Sequence, residues 1–253
     1  MKSFIKRILK FFAIQINKST THSCVIYPND FAPIKNNDEN FRLYKSALEK
    51  SEHISRDDFP TQMRFYSLTQ IVKYVLNNED VKDIVECGCW KGHSSYIISK
   101  LIQESKKKIS FHIFDSFEGL SKPTSEDREL FYLDEKKKKL ISTQFSSSEV
   151  FVKDKVLKDF NFVKTYKGWI PSRFSEVKDK NFSLVHIDVD LYKPTFSSLE
   201  FFFPKLSKGG VIVCDDYNAS AFPGAKDAWD LYFKNKDYKF FFQNPLGGCF
   251  IIK

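Results

Sequence analysis

Short apolar runs alternate with longer amphipathic or polar stretches from residue 61 to the C-terminus. The first stretch carries Phe65, Leu68, Ile71, Val72 and Val75 at helical spacing, which predicts a helix that ends near 77–78. The runs that follow predict strands over 84–85, 109–114, 160–165, 182–187 and 211–214. The stretches between them predict helices over 94–103, 197–203 and 225–233.

The last two apolar runs, 238–243 and 249–252, are separated by the turn sequence Asn-Pro-Leu-Gly-Gly, which predicts a β-hairpin. Strands that alternate with helices indicate a parallel sheet covered by helices on both faces. An antiparallel pair that closes such a sheet is typical of the class I S-adenosylmethionine (SAM) methyltransferase fold and not of the dinucleotide-binding fold. We therefore expect an α/β protein with a Rossmann-like, mostly parallel sheet of seven strands and a C-terminal antiparallel hairpin.

Residues 1–60 are expected to form an N-terminal extension, helical or irregular, to a methyltransferase domain over 61–253. Residues 2–17 place apolar side chains at helical spacing with basic residues between them, which predicts an amphipathic helix. We favour a helix that packs on the domain or on a sister subunit, and the alternative is a helix that lies in a membrane surface. Residues 18–60 are polar and interrupted by prolines, as expected for a lid or an oligomer contact.

The composition excludes several classes of protein. With 42% hydrophobic and 16% aromatic residues in 253 positions, the chain can bury a sizeable core, which excludes a disordered chain. No apolar run approaches the ~20 residues of a transmembrane helix. The five cysteines form no CxxC pair, so a reducing, cytoplasmic location is expected. The net charge of +8 comes from scattered lysines, which disfavours nucleic-acid binding.

The first predicted strand runs into a glycine-containing turn, ECGCWKG, at 86–92. Ligands of open α/β sheets bind at the carboxyl ends of the strands, and glycines let the backbone approach a ligand closely. Trp90 argues against a pyrophosphate-bearing cofactor, which needs a bare turn. The turn suits the methionine end of SAM, whose amino group would pair with Glu86 and whose carboxylate would meet amides near Gly88 and Ser94. A tight strand–helix connection without a ligand is the alternative.

The second predicted strand ends in Asp115-Ser116, and Asp115 follows Glu86 by 29 positions. An acidic residue at this place accepts hydrogen bonds from both ribose hydroxyls of a nucleoside. The alternative role for Asp115 is that of an N-cap for the following segment.

Two further strands end in acidic pairs, Asp188 with Asp190 and Asp215 with Asp216. Carboxylates this close repel one another unless a cation or protons neutralise them. Hard oxygen ligands in this number suit Mg²⁺ or Mn²⁺. His186 is expected to be a packed strand histidine rather than a metal ligand.

Five segments together resemble the macrocin O-methyltransferase (TylF/MycF/NovP) family. The matching segments are VECGCWKGHSS (85–95), FDSFEGL (114–120), KGWIPS (167–172), HIDVDLYKPTFSSLEFFFPKLSKGGVIVCDDY (186–217) and PGAKDAWD (223–230). The resemblance extends from about residue 61 to the C-terminus and implies a SAM-dependent, divalent-metal-dependent methyltransferase that acts on sugar hydroxyls and associates as a dimer or larger oligomer.

The resemblance also implies roles for individual residues. Asp188, Asp215 and Asp216 would bind the metal, and Asp190 would be the general base beside Asp188 in the catalytic centre. The residues expected around SAM are Glu86, Gly88, Ser94, Asp115, Ser116, Ser147 and Trp169, with 146–148 near the adenine. The sequence departs from the family pattern at Cys87, Cys89 and Ile170, and residues 1–60 lie outside that pattern.

The expected acceptor is a sugar or a nucleotide-activated sugar, since the lysine-rich segment 119–149 and the positive net charge favour a phosphorylated ligand. A nucleotide sugar for bacterial capsule or surface polysaccharide, such as GDP-heptose, is the specific expectation, and part of 119–149 is expected to close over SAM. Two alternatives remain open. One is a metal-dependent glycosyltransferase that uses Asp-x-Asp, and the other is a non-catalytic protein at the membrane periphery.

Overall fold

The computed structural model of the protein describes residues 14–18, 24–28, 38–52 and 57–253. The strands in this part of the chain are β1 (Ile14–Lys18), β2 (Cys24–Pro28), β3 (Asp83–Cys87), β4 (Phe111–Asp115), β5 (Val163–Lys167), β6 (Phe182–Ile187), β7 (Leu206–Cys214), β8 (Phe240–Gln243) and β9 (Cys249–Ile252). The helices are α1 (Glu39–Lys50), α2 (Phe59–Leu76), α3 (His93–Ser105), α4 (Glu129–Tyr132), α5 (Glu135–Gln144), α6 (Glu149–Phe151), α7 (Tyr192–Phe202) and α8 (Pro223–Phe233). A π-helical turn, Val152–Val156, follows α6.

The main sheet has seven strands in the order β5-β4-β3-β6-β7-β9-β8. The strands from β5 to β7 are parallel, whereas β9 pairs antiparallel with both β7 and β8. This arrangement confirms the expected seven-stranded, mostly parallel sheet with an antiparallel C-terminal hairpin. It also fixes one edge of the sheet at which the parallel strands β3, β4, β6 and β7 end together.

Both faces of the sheet are covered by helices, and each face has its own apolar core. One core joins α2, α3 and the turn after α6, with Val72, Ile98 and Val156 buried against the sheet. The other joins α7 and α8 and is rich in aromatic side chains, among them Phe202 and Trp229. Strand β6 lies between the two cores and is buried at every position. A parallel strand covered on both faces is therefore expected to have a nearly continuous apolar sequence.

Helix α2 matters for the site because it packs against β6 and β7. Its N-cap is Asp58, whose carboxylate accepts a hydrogen bond from the Thr61 N–H at 2.9 Å. Pro60 stands in the first turn, where its missing N–H costs nothing. The helix therefore begins before residue 61, so the expected boundary between extension and domain falls inside a helix.

Three of the differences from the sequence-based expectations concern whole segments or element ends. The strand expected over 160–165 starts at Val163, because Phe160 lies in a turn where its carbonyl accepts a hydrogen bond from the Val163 N–H at 3.2 Å. The segment 18–60 is not irregular throughout, since α1 is capped by Asp38 and buries Ala47. The helix expected over 2–17 is wrong at its C-terminal end: β1 begins at Ile14 and pairs antiparallel with β2. The rest of that expected helix lies outside the described residues.

Candidate active site

The carboxyl ends of β3, β4, β6 and β7 open into a cavity of about 660 Å³. One wall carries Gly88 and Asp115, the floor carries the four aspartates after β6 and β7, and α2 contributes Thr61, Arg64 and Phe65. The cavity lies where ligands of open α/β sheets are held.

The sheet register brings the acidic pairs together. Strands β6 and β7 are adjacent and pair Ile187 with Cys214, so Asp188 and Asp215 leave the sheet side by side. Asp188, Asp215 and Asp216 each offer an oxygen, and these atoms lie within 4.8 Å of one another. A set of hard oxygen donors at this spacing fits a divalent cation such as Mg²⁺.

Arg64 offsets part of the negative charge of this cluster. The Arg64 guanidinium donates a hydrogen bond from Nη1 to Asp215 Oδ2 and forms an ion pair with that carboxylate. Burial, together with the charges of Asp215 and Asp216, raises the pKa of Asp188 well above its ordinary value. Burial and the neighbouring Asp215 raise the pKa of Asp216 to about 6. The pKa of both carboxyls stays raised even though the charges of His186 and Arg64 act to lower it.

Asp190 is held tightly in this cluster. Its backbone has φ of +61°, a conformation that non-glycine residues seldom adopt, and its N–H donates to Asp216 Oδ2 at 2.8 Å. Its side chain is buried, and burial with the charge of Asp216 raises its pKa well above the ordinary value. Strained backbone at such a place is typical of functional sites.

The turn after β3 is shaped by two glycines. Gly88 has φ of +84°, and a Cβ at this position would lie 1.8 Å from the Asp188 carbonyl oxygen, so only glycine fits. Gly92 has φ of +82° and precedes α3, whose second residue, Ser94, lines the cavity. The turn thus brings the start of α3 against the cavity.

Asp115 braces this turn from the neighbouring strand. Its Oδ2 accepts hydrogen bonds from the Cys89 N–H at 2.7 Å and the Trp90 N–H at 3.0 Å, and its Oδ1 accepts one from the Phe117 N–H at 2.6 Å. Asp115 and Ser116 both line the cavity, as does the exposed Trp169. A carboxylate fixed by three backbone donors can accept further hydrogen bonds from a ligand.

Among the described residues, Glu86 does not line the cavity. Its side chain is fully buried, Oε1 lies 3.0 Å from His186 Nδ1, and Oε2 accepts a hydrogen bond from Ser95 Oγ. Burial lowers the pKa of His186, but the hydrogen bond and charge of Glu86 outweigh it and raise that pKa to about 9. Both Glu86 oxygens therefore have protein partners in this structure, and His186 is the packed strand histidine that was expected.

Ser147 lies behind the glycine turn. Its hydroxyl donates a hydrogen bond to the Trp90 carbonyl, and its N–H donates one to the Phe117 carbonyl at 3.3 Å. Ser147 is not among the described residues that line the cavity. The hydroxyl thereby ties the segment after α5 to the glycine turn. The serine therefore supports the wall of the cavity from behind.

Contacts between aromatic side chains complete the walls of the cavity. Phe65 of α2 stacks on His93 of α3, with centroids 4.0 Å apart and planes 4° apart. Phe145 contacts Trp90 on one side, at 6.0 Å, and Phe222 on the other, at 5.8 Å. No local sequence signal marks these contacts, because each joins elements distant in the chain.

Part of the segment 119–149 covers one side of the cavity, although its helices α4 and α5 bury no side chain. Buried Asp127 anchors it, accepting hydrogen bonds from the Tyr192 N–H at 2.8 Å and the Thr124 N–H at 2.7 Å. Gly224 in the first turn of α8 leaves room for this carboxylate, since a Cβ there would lie 2.1 Å from Asp127 Oδ1. Gly119, Leu120 and Phe145 of this segment line the cavity.

Solved methyltransferase structures share this architecture. The structure of the O-methyltransferase NovP superposes with a TM-score of 0.62 at 22% identity, covering 74% of this chain and 78% of that one. An O-methyltransferase from Bacillus cereus in complex with SAH has a TM-score of 0.52 at 14% identity, covering 89% and 96%. The sheet order, the glycine turn and these neighbours define the fold as that of the class I SAM-dependent methyltransferases.

Sequence comparisons identify the family. The model of the macrocin O-methyltransferase (TylF) family matches residues 29–240. Demethyldecarbamoylnovobiocin O-methyltransferase of Streptomyces niveus is 27% identical over 209 residues, 77% of each chain. Mycinamicin III 3''-O-methyltransferase of Micromonospora griseorubida is 22% identical over 203 residues, 75% of this chain and 78% of that one. The chain belongs to the macrocin O-methyltransferase family and is a SAM-dependent O-methyltransferase, which overturns the glycosyltransferase and non-catalytic alternatives.

No helix in the described ranges combines the length and the apolar content that crossing a membrane requires.

Proposed function

We propose that this enzyme methylates a sugar hydroxyl in a reaction that depends on Mg²⁺ or Mn²⁺. The observation that carries the proposal is the convergence of Asp188, Asp215 and Asp216 in the cavity that also contains the glycine turn and Asp115. The relatives support a sugar acceptor. One of them, from Streptomyces olivaceus, is named a 4'-O-methyltransferase of a rhamnosyl-tetracenomycin and is 28% identical over 165 residues.

In the proposed reaction SAM supplies an electrophilic methyl group, and a divalent cation supplies the charge that makes a sugar hydroxyl acidic. Asp188, Asp215 and Asp216 hold the cation through carboxylate oxygens. Asp190 accepts the proton of the hydroxyl, and the hydrogen bond from its N–H to Asp216 fixes its backbone for that task. Arg64 holds Asp215 in position by its ion pair.

The cofactor half of the cavity is proposed to contain Gly88, Ser94, Asp115, Ser116 and Trp169. Asp115 accepts hydrogen bonds from the ribose hydroxyls while its backbone partners keep it oriented. The amides at the start of α3, near Ser94, meet the methionine carboxylate, since helix N-termini favour anions. Phe145 and the rest of the cover exclude water from this half.

We propose a nucleotide-activated sugar as the acceptor, for bacterial capsule or surface polysaccharide, with GDP-heptose as a specific candidate. Support comes from the net charge of +8 and from the basic side chains Lys91 and Arg64 in the cavity wall, which favour a phosphorylated ligand. The fold neighbour CalS11 is described as a TDP-rhamnose 3'-O-methyltransferase, at 14% identity and a TM-score of 0.50.

A cytoplasmic, homo-oligomeric enzyme, a dimer or a tetramer, completes the proposal. Cys87, Cys89, Cys214 and Cys249 are free and buried, as suits a reducing compartment. The exposed apolar side chains of Tyr132 and Leu140 offer contact area to a second copy.

The test is a methyl-transfer screen. The full chain is incubated with SAM, Mg²⁺ and a panel of nucleotide sugars and free sugars, and the products are read by mass spectrometry. The proposal predicts that at least one sugar gains one methyl group and that the gain is lost with excess EDTA and in Asp190→Asn. Methyl transfer to phenolic or protein acceptors only would reject a sugar acceptor.

A further inference from the structure

A second cavity, of about 360 Å³, lies between α2 and the sheet face formed by β7, β9 and β8. It adjoins the candidate active site, because the two cavities share Arg64, Asp215 and Gly247 in their walls. The residues implied by the family resemblance, Asp215 apart, do not line it.

The walls of this cavity are aromatic. Phe240 and Phe242 of the edge strand β8 lie about half exposed, and both contact Phe250 of β9, with centroids 6.0 Å and 5.5 Å apart. Tyr66 and Tyr74 of α2 line the opposite wall. Solvent-accessible rings on two sides of a narrow cavity suit a flat ligand that stacks on them.

A few polar groups stand among these rings. Gln70 and Asn244 line the cavity, and the Asn244 amide is oriented by a hydrogen bond from Nδ2 to Ser67 Oγ at 3.0 Å. Amide side chains both donate and accept hydrogen bonds, as the edge of a nucleobase does. Apolar walls with a few placed amides are typical of small-molecule sites.

Arg64 stands at the junction of the two cavities. In the described part of the chain its Nη1 donates to Asp215, and a guanidinium carries five N–H donors in a planar fork that suits phosphate oxygens. A ligand that passes from the four aspartates to the aromatic cavity must pass this cation. Its charge is complementary to a diphosphate and not to an apolar substituent.

We propose that the aromatic cavity binds the base of a nucleoside diphosphate-sugar acceptor, with Arg64 contacting the diphosphate. In such a molecule the sugar and the base stand at opposite ends of the diphosphate. The sugar hydroxyls then lie at Asp188 and Asp215, and the base stacks on Phe242. This inference rests on the proposed sugar methylation and adds the site that selects a nucleotide-activated acceptor over the free sugar.

The test is a calorimetric titration of the full chain, saturated with Mg²⁺, with GDP, UDP and dTDP, and separately with SAH. We expect at least one nucleoside diphosphate to bind, and Phe242→Ala and Arg64→Gln each to weaken that binding by about tenfold or more. SAH binding should be the same in Phe242→Ala and in the native chain. Tyr238→Ala is the matched control, because Tyr238 has a similar exposure and packs on Phe233 and Phe241 instead.

The inference is overturned if none of the three diphosphates binds, or if the native chain and Phe242→Ala bind them equally well. It is also overturned if Phe242→Ala lowers the molecular mass measured by light scattering, since a second copy then covers the aromatic cavity. The nucleotide titrations decide this inference alone. The SAH titration and the methyl-transfer screen decide the proposed function, so the two fail separately.

Discussion

Arg64 of α2 donates a hydrogen bond to Asp215 at the end of β7, across 151 positions of sequence. This contact lies at the junction of the candidate active site and the aromatic cavity. It engages one oxygen of Asp215 and leaves the other for a cation. Helix α2 lies outside the five segments that carry the family resemblance. Through Arg64 it nevertheless helps to orient the acidic cluster.

Asp188→Asn and Asp215→Asn should each abolish methyl transfer and Mn²⁺ binding, because each removes one charged oxygen donor from the trio. Electron paramagnetic resonance of free Mn²⁺ measures binding without reference to turnover. Asp159→Asn, at an exposed aspartate, is the control and should leave both properties unchanged. Full turnover in excess EDTA would contradict the metal role.

Asp115→Ala should raise the dissociation constant of SAH by about tenfold or more, since it removes charge-assisted hydrogen bonds to the ribose. The same substitution leaves the Cys89, Trp90 and Phe117 N–H groups without their acceptor, so a lower Tm is expected as well. Asp115→Asn, which keeps an acceptor oxygen, should lose less of both. An SAH dissociation constant that is the same in Asp115→Ala and the native chain would reject ribose binding.

Glu86→Gln should act on stability rather than on the cofactor. It leaves the buried His186 without its carboxylate partner, a change that costs about 3–5 kcal/mol in buried pairs. We expect the Tm to fall on the order of 10 °C. Well below that temperature, SAH should bind as in the native chain. A native Tm combined with weakened SAH binding would show instead that Glu86 contacts the cofactor.

Asp83 is the first residue of β3, at the edge of the sheet opposite the candidate site. It should make the free energy of unfolding depend on pH in the acidic range. Burial raises its pKa, but hydrogen bonds from His112, Lys180 and the Ser110 N–H outweigh it and hold the pKa below its ordinary value. The stabilisation is therefore complete above about pH 4, the ordinary carboxyl range, and is lost as pH falls below it.

Urea unfolding of the native chain and Asp83→Asn over a series of pH values tests this. The native chain should be more stable at neutral pH by about 1–3 kcal/mol, and the difference should shrink on acidification below about pH 4. A difference that stays constant down to about pH 2 would contradict the account.

Periodicity was sufficient for the elements with strong apolar patterns. The run at 182–187 coincides with β6, and 249–252 with β9. Helix α5 was missed because its lysine-rich sequence has no apolar face; Asp134 caps it, accepting from the Lys137 N–H. Helix α1 lies within a polar segment, but its sequence carries a helix signal. This signal consists of the N-cap Asp38 and the apolar positions Tyr44 and Leu48, which are buried in the structure.

The candidate site likewise contains residues whose positions the sequence predicts and residues whose positions it does not. Asp188 and Asp215 could be placed together from sequence, because parallel strands end at one edge. The protein partners of Glu86 could not be predicted, since a carboxylate at a strand end can bind a ligand or pair with a buried side chain, and the pairing with His186 is seen only in the structure. Arg64 was unpredictable because its partner is distant in sequence.

The most direct test is a crystal structure of the full chain with SAH and Mn²⁺, located by anomalous scattering. The account predicts a Mn²⁺ peak bound by Asp188, Asp215 and Asp216, with the SAH ribose at Asp115 in the same cavity. A Mn²⁺ peak away from these three aspartates, or SAH bound outside the cavity beside Gly88, would contradict it.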